Sequence, residues 1–557
     1  MPLFYPRVLR ESLHTCRQNL CKLVSFASLG AIYTQGCYMD FTDHLSPAQN
    51  PLSDGQNSLR GAAPCIMVIF GATGDLTRRR LVPALYHLAR EGQLPAHFCC
   101  VGFARRDKSH EDFRAEMLEA IRSSLGNYPF DPSIWESVRD RLFYHRSEFD
   151  NDEGYEKLRQ FLKDLDNRYG TQGNRVYYLS TQPRFFPTIV EKLHAHQLIY
   201  NTQSGNSRWS RVIIEKPFGH DYKSAVALQQ DIRQFLAESQ IYRIDHWLGK
   251  ETVQNLLAFR FTNPIFEAVW NHNFIDHIQI TVGESIGIGT RGDLWEQQGI
   301  LRDIVQNHVM QLLCLIAMEP PSSLSAECIR DEKVKVLNSM RPIDLDNLEQ
   351  FVVRGQYGPG FITGEPVVGY RDEQNVPSDS NATTFAALKL FVDNWRWNGV
   401  PIYVRAGKRM PKRVTEIAIT FKEAPGRLFS LPQKSLDSNV LAIRIQPNED
   451  IALKINCKVP GHTQLIHPVK MDFRYGSYFG ASQQEAYERL LCDCMVGDST
   501  LFARDDEVLQ SWRLFTPILE RWANTPPRSF PNYQAGQWGP READLMIQKE
   551  GRRWRLP

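Results

Sequence analysis

Unbroken apolar runs punctuate the first half of the chain. The run at residues 64–70 reads as a buried strand. It stops at Gly71-Ala72-Thr73-Gly74-Asp75-Leu76, beyond which Leu81, Leu85 and Leu88 recur at helical spacing. Pro83 is expected to bend that helix or to remove one of its hydrogen bonds. Phe98–Ala104 is a second run, residues 174–179 a third that opens into a loop at Gln182-Pro183, and residues 211–214 a fourth that runs into Glu215-Lys216-Pro217-Phe218-Gly219. This layout predicts an open α/β sheet. No proline interrupts residues 245–261, where Val253, Leu256 and Leu257 keep helical spacing, and residues 299–308 lead into an apolar, mostly buried helix at 309–318. Alternation at residues 416–421, at Val440–Gln446 and at residues 451–455 predicts strands. No internal repeat is present.

With 557 residues, 42% of them hydrophobic and 23% charged, the chain has the make-up of a soluble protein of two or three domains. A net charge of +2 gives no general electrostatic case for nucleic acid or membrane, so any anion site must be local. The 11 cysteines follow no metal-like spacing, and an odd, scattered set predicts reduced thiols in a cytoplasmic protein. Residues 1–38 are basic, with Arg7, Arg10, Arg17 and Lys22 against Glu11. Their apolar run at 23–38 is too short and polar to span a bilayer. A targeting segment, or a start placed ahead of Met39, are the alternatives. Residues 1–62 are expected to be a dispensable, disordered extension.

The turn from Gly71 to Leu76 sets backbone N–H groups at a helix start, where a pyrophosphate is held. Its G-x-x-G spacing is shorter than the full dinucleotide pattern, and a plain tight turn looks the same. An NAD-binding unit carries an acid near the end of its second strand. Here Arg105-Arg106 stand there, which suits a 2′-phosphate and hence NADP, although Asp107 follows directly. Lys216 ends a strand, where open α/β sheets present their ligands. A solvated strand-end lysine is the plain alternative.

The densest chemistry lies in Asp245-His246-Trp247-Leu248-Gly249-Lys250-Glu251. If this segment is helical, His246 and Lys250 share a face and make a clamp for a phosphate dianion. A solvated helix start with an ordinary ion pair is the competing interpretation. Downstream, Asp303 and His308 stand five apart on the buried helix, where a histidine is more often a satisfied core residue than a catalyst. The basic cluster of residues 405–413 reads on composition as a solvated turn.

Resemblance shifts these balances. Arg243-Ile244-Asp245-His246-Trp247-Leu248-Gly249-Lys250-Glu251 resembles the signature of the glucose-6-phosphate dehydrogenase family. Glu215-Lys216-Pro217-Phe218-Gly219 matches a second family motif without a change, and Arg302-Asp303 with Gln306-Asn307-His308 is similar to a third. The likeness runs from about Cys65 to Ile547. It implies a Rossmann-like NADP-binding domain at 63–243, then a larger β+α domain at 244–557 with a mainly antiparallel sheet that also makes subunit contacts. It further implies a cytoplasmic homodimer or homotetramer that oxidises D-glucose 6-phosphate at C1 to 6-phospho-D-glucono-1,5-lactone with NADP+, the first step of the oxidative pentose phosphate pathway.

By the same resemblance His308 is the catalytic base and Asp245 its orienting carboxylate. An imidazole titrates near neutrality and can take the hydroxyl proton as hydride leaves carbon, and no metal is called for. His246 and Lys250 become the phosphate clamp, with Arg413 on the phosphate side. Lys216 lies between cofactor and sugar, Glu284 and Asp303 accept bonds from sugar hydroxyls, and Lys408 and Gln446 join the substrate site. Gly71, Thr73, Gly74, Asp75, Leu76, Arg105 and Lys216 hold the cofactor. The chain departs from the family pattern at Gln182, at Trp247, and at Arg291-Gly292-Asp293-Leu294-Trp295-Glu296, where altered substrate-side detail is expected. Two other functions stay open: a different sugar oxidoreductase on the same plan, and a non-catalytic paralogue that binds NADP or sugar phosphate. The complete set of Lys216, Asp245, His246, Lys250, Asp303 and His308 weighs against the second.

Overall fold

A computed structural model of the protein describes residues 61–126, 128–200, 207–424, 437–461, 466–474, 477 and 485–557. The expected disordered extension lies outside the described residues except for its last two, of which Ala62 packs against the core.

The first sheet holds β1 (Cys65–Phe70), β2 (Phe98–Ala104), β3 (Leu142–Arg146), β4 (Arg175–Leu179), β5 (Ser210–Ile214) and β6 (Ile241–Ile244). In space they run β6-β5-β4-β1-β2-β3, all parallel. This is the doubly wound order, and its switch point lies between β1 and β4. Every residue of β1, β2 and β4 is buried, because helices cover both faces of a parallel sheet. A late segment, Phe502–Ala503, adds antiparallel to the open side of β6.

The second sheet has eight strands, in the order Ile466–Arg474, Asp450–Lys458, Val440–Gln446, Val414–Phe421, Ile275–Gly283, Ile402–Gly407, Phe385–Leu390 and Val352–Gly355. It is antiparallel except where Ile402–Gly407 runs parallel to Ile275–Gly283. The expected Rossmann-like sheet followed by a mainly antiparallel one is therefore present. Between the sheets runs Gly289–Ala317, long and apolar enough to cross a bilayer by composition, yet 83% of its apolar window is buried inside the protein. It is a core helix.

Two local distortions matter for the site. The helix after β1 opens into a wide π turn at Thr77–Leu81 before Val82–Arg90, with Pro83 in the first α turn. The widened turn absorbs the N–H that proline lacks. In the core helix, Gly299 breaks the backbone at φ 61°, ψ 173°, and Leu301–Val309 is again π-helical.

Candidate active site

The first element of the site is the turn after β1. Gly71 has φ +83°, and a Cβ there would lie 2.1 Å from the Ser180 carbonyl oxygen, so only glycine fits. Its N–H donates to Phe103 O at 2.9 Å, and Gly74 N–H donates back to Gly71 O at 2.9 Å. Thr73 and Gly74 are half-buried, and the helix begins at Asp75-Leu76, its unpaired N–H groups at the carboxyl end of β1. Asp75 is exposed and paired with Arg79 at 2.7 Å. At the end of β2, Arg105 is exposed, while Asp107 is held by Arg146 at 3.0 Å. The acid that clouded the cofactor assignment is thus engaged elsewhere. Gln182 takes φ −68°, ψ 142°, angles that a proline also adopts.

Lys216 follows β5. Its ammonium donates to Asp303 O at 2.9 Å, to Asp303 Oδ1 at 3.1 Å, and contacts His308 Nε2 at 3.1 Å. Asp303 and His308 would face different ways on an α-helix. The π segment widens the turn to an i→i+5 repeat and brings both to one lysine. Other groups hold the widened backbone: Asn307 Nδ2 donates to Arg302 O at 2.9 Å, and the Ser511 hydroxyl donates to Gln306 O.

His308 is 1% exposed and its Nδ1 lies 2.6 Å from Asp245 Oδ1. A carboxylate can only accept and an ammonium only donate, so Nδ1 carries the proton and Nε2 presents its lone pair. Burial pushes the imidazole below its ordinary pKa, against the pull of Asp245. Burial also acts to raise Asp245, but the charge and hydrogen bond of His308 outweigh it and hold that carboxyl well below the usual range. The pair therefore rests as neutral imidazole and carboxylate.

The segment after Asp245 corrects one expectation. Residues 246–249 form turns, and the helix starts only at Glu251, with Lys250 as an extended N-cap residue at φ −82°, ψ 137°. Asp245 Oδ1 accepts the Trp247 N–H at 2.9 Å, Leu248 N–H donates to Asp245 O, and Gly249 packs too tightly on Ala486 for a side chain. That side chain–backbone bond competes with helix from the first residue. His246 stands edge-on to His308 at 4.6 Å, and burial, then the charges of His308 and Lys216, hold it far below its ordinary pKa. Trp247 stacks flat on the His308 ring at 4.7 Å, so this departure supplies a platform for the base. Lys250 sits over the Trp247 face at 5.0 Å and donates to Gln446 Oε1 at 2.7 Å. Arg413, exposed, reaches the same oxygen at 3.3 Å, and Gln446 is pinned by its own bond to Thr415 Oγ1 at 2.8 Å. Burial first and Arg413 second bring Lys250 down to about 8.

On the remaining side, Lys408 forms an ion pair with Glu284 and lies 4.8 Å over the Trp295 ring. Arg405 and Lys408 are buried, so only the Lys412-Arg413 end of the basic cluster is solvated: Lys408 N–H donates to Thr384 O, Lys408 O accepts the Tyr533 hydroxyl at 2.8 Å, and Arg405 packs on Trp538 and Trp554. Burial acts to raise Asp303, but Lys216 and then Lys408 hold it below its usual pKa. The departing loop at 291–296 thus reaches the site through Trp295, whose indole donates to Thr383 O at 3.2 Å. Trp295 lies in the segment where altered substrate-side detail is expected, whereas no local pattern marks Tyr487, parallel to His246 at 6.3 Å.

Asp245, His246 and His308 place potential metal-ligand atoms within 4.8 Å of one another. The Lys216 ammonium at His308 Nε2 already puts a positive charge in that position, which disfavours a cation.

Comparisons with known proteins bear on the family. Residues 68–255 match the model of the glucose-6-phosphate dehydrogenase NAD binding domain, and residues 257–555 that of the C-terminal domain. A glucose-6-phosphate 1-dehydrogenase of Chlamydia pneumoniae is 55% identical over 504 residues, 90% of this chain and 98% of the relative. That of Bacillus subtilis is 44% identical over 489 residues, 88% of this chain and 98% of its own. A solved glucose-6-phosphate dehydrogenase in complex with its substrate glucose-6-phosphate superposes with a TM-score of 0.81 at 36% identity, covering 89% of this chain and 99% of that one. The glucose-6-phosphate 1-dehydrogenase of Mycobacterium avium gives 0.74 at 34% identity over 89% and 99% of the two chains. The chain belongs to the glucose-6-phosphate dehydrogenase family.

Proposed function

We propose that the protein is a glucose-6-phosphate 1-dehydrogenase that oxidises D-glucose 6-phosphate at C1 to 6-phospho-D-glucono-1,5-lactone, with NADP+ as hydride acceptor. The observation that carries this reading is His308, fixed by Asp245 with its Nε2 lone pair turned toward Lys216, and stacked on Trp247, whose ring also lies under Lys250. Lys250, Arg413 and His246 take the 6-phosphate, and Gln446 holds Lys250 in place. Lys216, Asp303, Glu284 and Lys408 bond the sugar hydroxyls. The C1 hydroxyl replaces Lys216 as the partner of His308 Nε2 and gives its proton there. The new imidazolium is stabilised by the Asp245 carboxylate, while Trp247 and burial keep water away from the ring. NADP+, when bound, supplies the carbon that accepts the hydride.

The cofactor fits the first sheet. Gly71 lets the turn close tightly on Ser180, the helix start at Asp75 and Leu76 offers backbone N–H groups for phosphate, and Arg105 is exposed beside the surface pair of Asp107 and Arg146. Arg105→Ala is expected to lower the preference for NADP+ over NAD+ by about 10–100-fold, the worth of a charge-assisted bond. Paired kcat/KM values for the two cofactors measure this, and an unchanged ratio would remove Arg105 from the cofactor site.

The test of the reaction is NADPH absorbance with purified protein, NADP+ and glucose 6-phosphate, run beside free glucose. Turnover confined to the phosphorylated sugar supports both reaction and clamp. Equal turnover with free glucose points to another sugar oxidoreductase, and ligand binding without turnover to a regulatory paralogue. We also infer a cytoplasmic homo-oligomer. The outer strands Asp450–Lys458 and Ile466–Arg474 support the latter by leaving Val469 and Met471 exposed for a second copy to cover. The unpaired cysteines among the described residues support the former.

A further inference from the structure

Beside the His308–Asp245 pair lies a small cavity of about 20 Å³, bounded by Lys216, Asp245, Gln306, Gln311, Glu507 and Ser511 among others. That is room for one water molecule. Two of its lining residues each carry a buried oxygen with no hydrogen-bond partner: Asp245 Oδ2 and Gln311 Oε1.

The orientation of the Gln311 amide is set from the far side. Its Nε2 donates to Glu507 Oε2 at 3.2 Å, and a carboxylate can only accept. Gln311 must therefore keep N–H toward Glu507 and its oxygen away from it. Glu507 cannot swing, because Lys333 Nζ holds Oε2 at 2.6 Å and the Arg504 N–H donates to Oε1 at 3.1 Å. Lys333 and Glu507 are 1% and 0% exposed, so this ion pair is a fixed part of the interior. Two acceptors on one cavity repel unless something with two protons lies between them. A neutral water has that number.

We propose that one buried water donates to both Asp245 Oδ2 and Gln311 Oε1, tying the catalytic pair to the Lys333–Glu507 ion pair and making Gln311 a positioning residue for the base. The proposal rests on His308 acting as that base. The water bond disperses the charge of the second carboxylate oxygen and fixes the carboxylate plane, and with it the imidazole plane. On its substrate side the pair faces Lys216 from the end of β5, His246 from the turn, and Asp303 from the π segment. On the cavity side it faces Gln311, with Glu507 and Lys333 behind. Without the water, Asp245 attracts a proton more strongly and His308 becomes protonated at a higher pH.

The test uses the full-length protein. Gln311→Met keeps the length of the side chain and removes both its acceptor and its donation to Glu507. It is expected to lower kcat roughly tenfold, the usual cost of losing a partner behind a catalytic group, to leave KM for glucose 6-phosphate unchanged, and to move the acid limb of kcat/KM to higher pH. A purely structural role for Gln311 would not move that limb. Wild-type kcat together with a wild-type acid limb would overturn the proposal. A crystal structure of the wild-type protein is expected to contain a water bonded to both oxygens, and a dry cavity there would overturn it as well, even if the variant fails to fold. Wild-type protein with no turnover would sink the dehydrogenase reading instead, and the crystallographic result stands apart from that outcome.

Discussion

Replacing His308 with asparagine is expected to lower kcat by about 10²–10⁴, the range for loss of a positioned general base. The KM for glucose 6-phosphate should stay near its wild-type value, because the proposed phosphate ligands are Lys250, Arg413 and His246, with Gln446 holding Lys250 in place. Asparagine keeps a polar atom at the Nδ1 position facing Asp245 and lacks the Nε2 atom that meets Lys216. The pH profile sharpens the test. In the wild-type protein activity needs His308 neutral, and burial holds its pKa below the ordinary value. The acid limb of kcat/KM should therefore fall below pH 6.5, the unperturbed histidine value of about 6.5, and should vanish in the variant. Steady-state NADPH formation across pH measures both, and turnover within tenfold of wild type would unseat His308.

Lys250→Ala is expected to raise KM for glucose 6-phosphate by about 10–100-fold with a smaller change in kcat, since one charge-assisted bond to the phosphate is lost in ground state and transition state alike. A second signature follows from the depressed pKa. The cation binds the dianion and the neutral amine does not, so binding weakens as pH rises through about 8 in the free enzyme. The alkaline limb should appear in kcat/KM, which reports the free enzyme. It should be absent from kcat, because bound phosphate restores the lysine proton. Lys250→Arg keeps its charge at every accessible pH and should abolish the limb. An alkaline limb that persists in Lys250→Arg would show that another group titrates there.

The buried strands of the first sheet were legible because β1, β2 and β5 are covered on both faces and so read as continuous apolar runs. Phe502–Ala503 was not, since two residues carry no period, and their partner β6 is remote in sequence. The residues of the site were legible through motif likeness, whereas their geometry was not. Asp245 to Lys250 kept the spacing of a helix, yet a carboxylate that accepts the N–H two residues on diverts the backbone into turns. Asp303 and His308 share a lysine only because the helix there is widened, and the groups that hold it open include Ser511, on a different helix. The contribution of Trp295 depends likewise on Lys408, far along the chain. Composition and periodicity report local preference, and these features belong to contacts between distant segments.

The pairing of Phe502–Ala503 with β6 also bears on how the chain is made. A ribosome delivers Ile241–Ile244 long before Phe502–Ala503, so the nascent sheet carries an open hydrogen-bonding edge through most of the synthesis of the second sheet. Such an edge is a template for pairing with other chains. Arg211, reaching to the carbonyls of Cys494 and Met495, and Phe218, accepting from the Trp512 indole, wait for the same late segment. The N-terminal half thus emerges first but is completed last, and a product that stops short of residue 502 leaves the ribosome with its cofactor sheet unsealed.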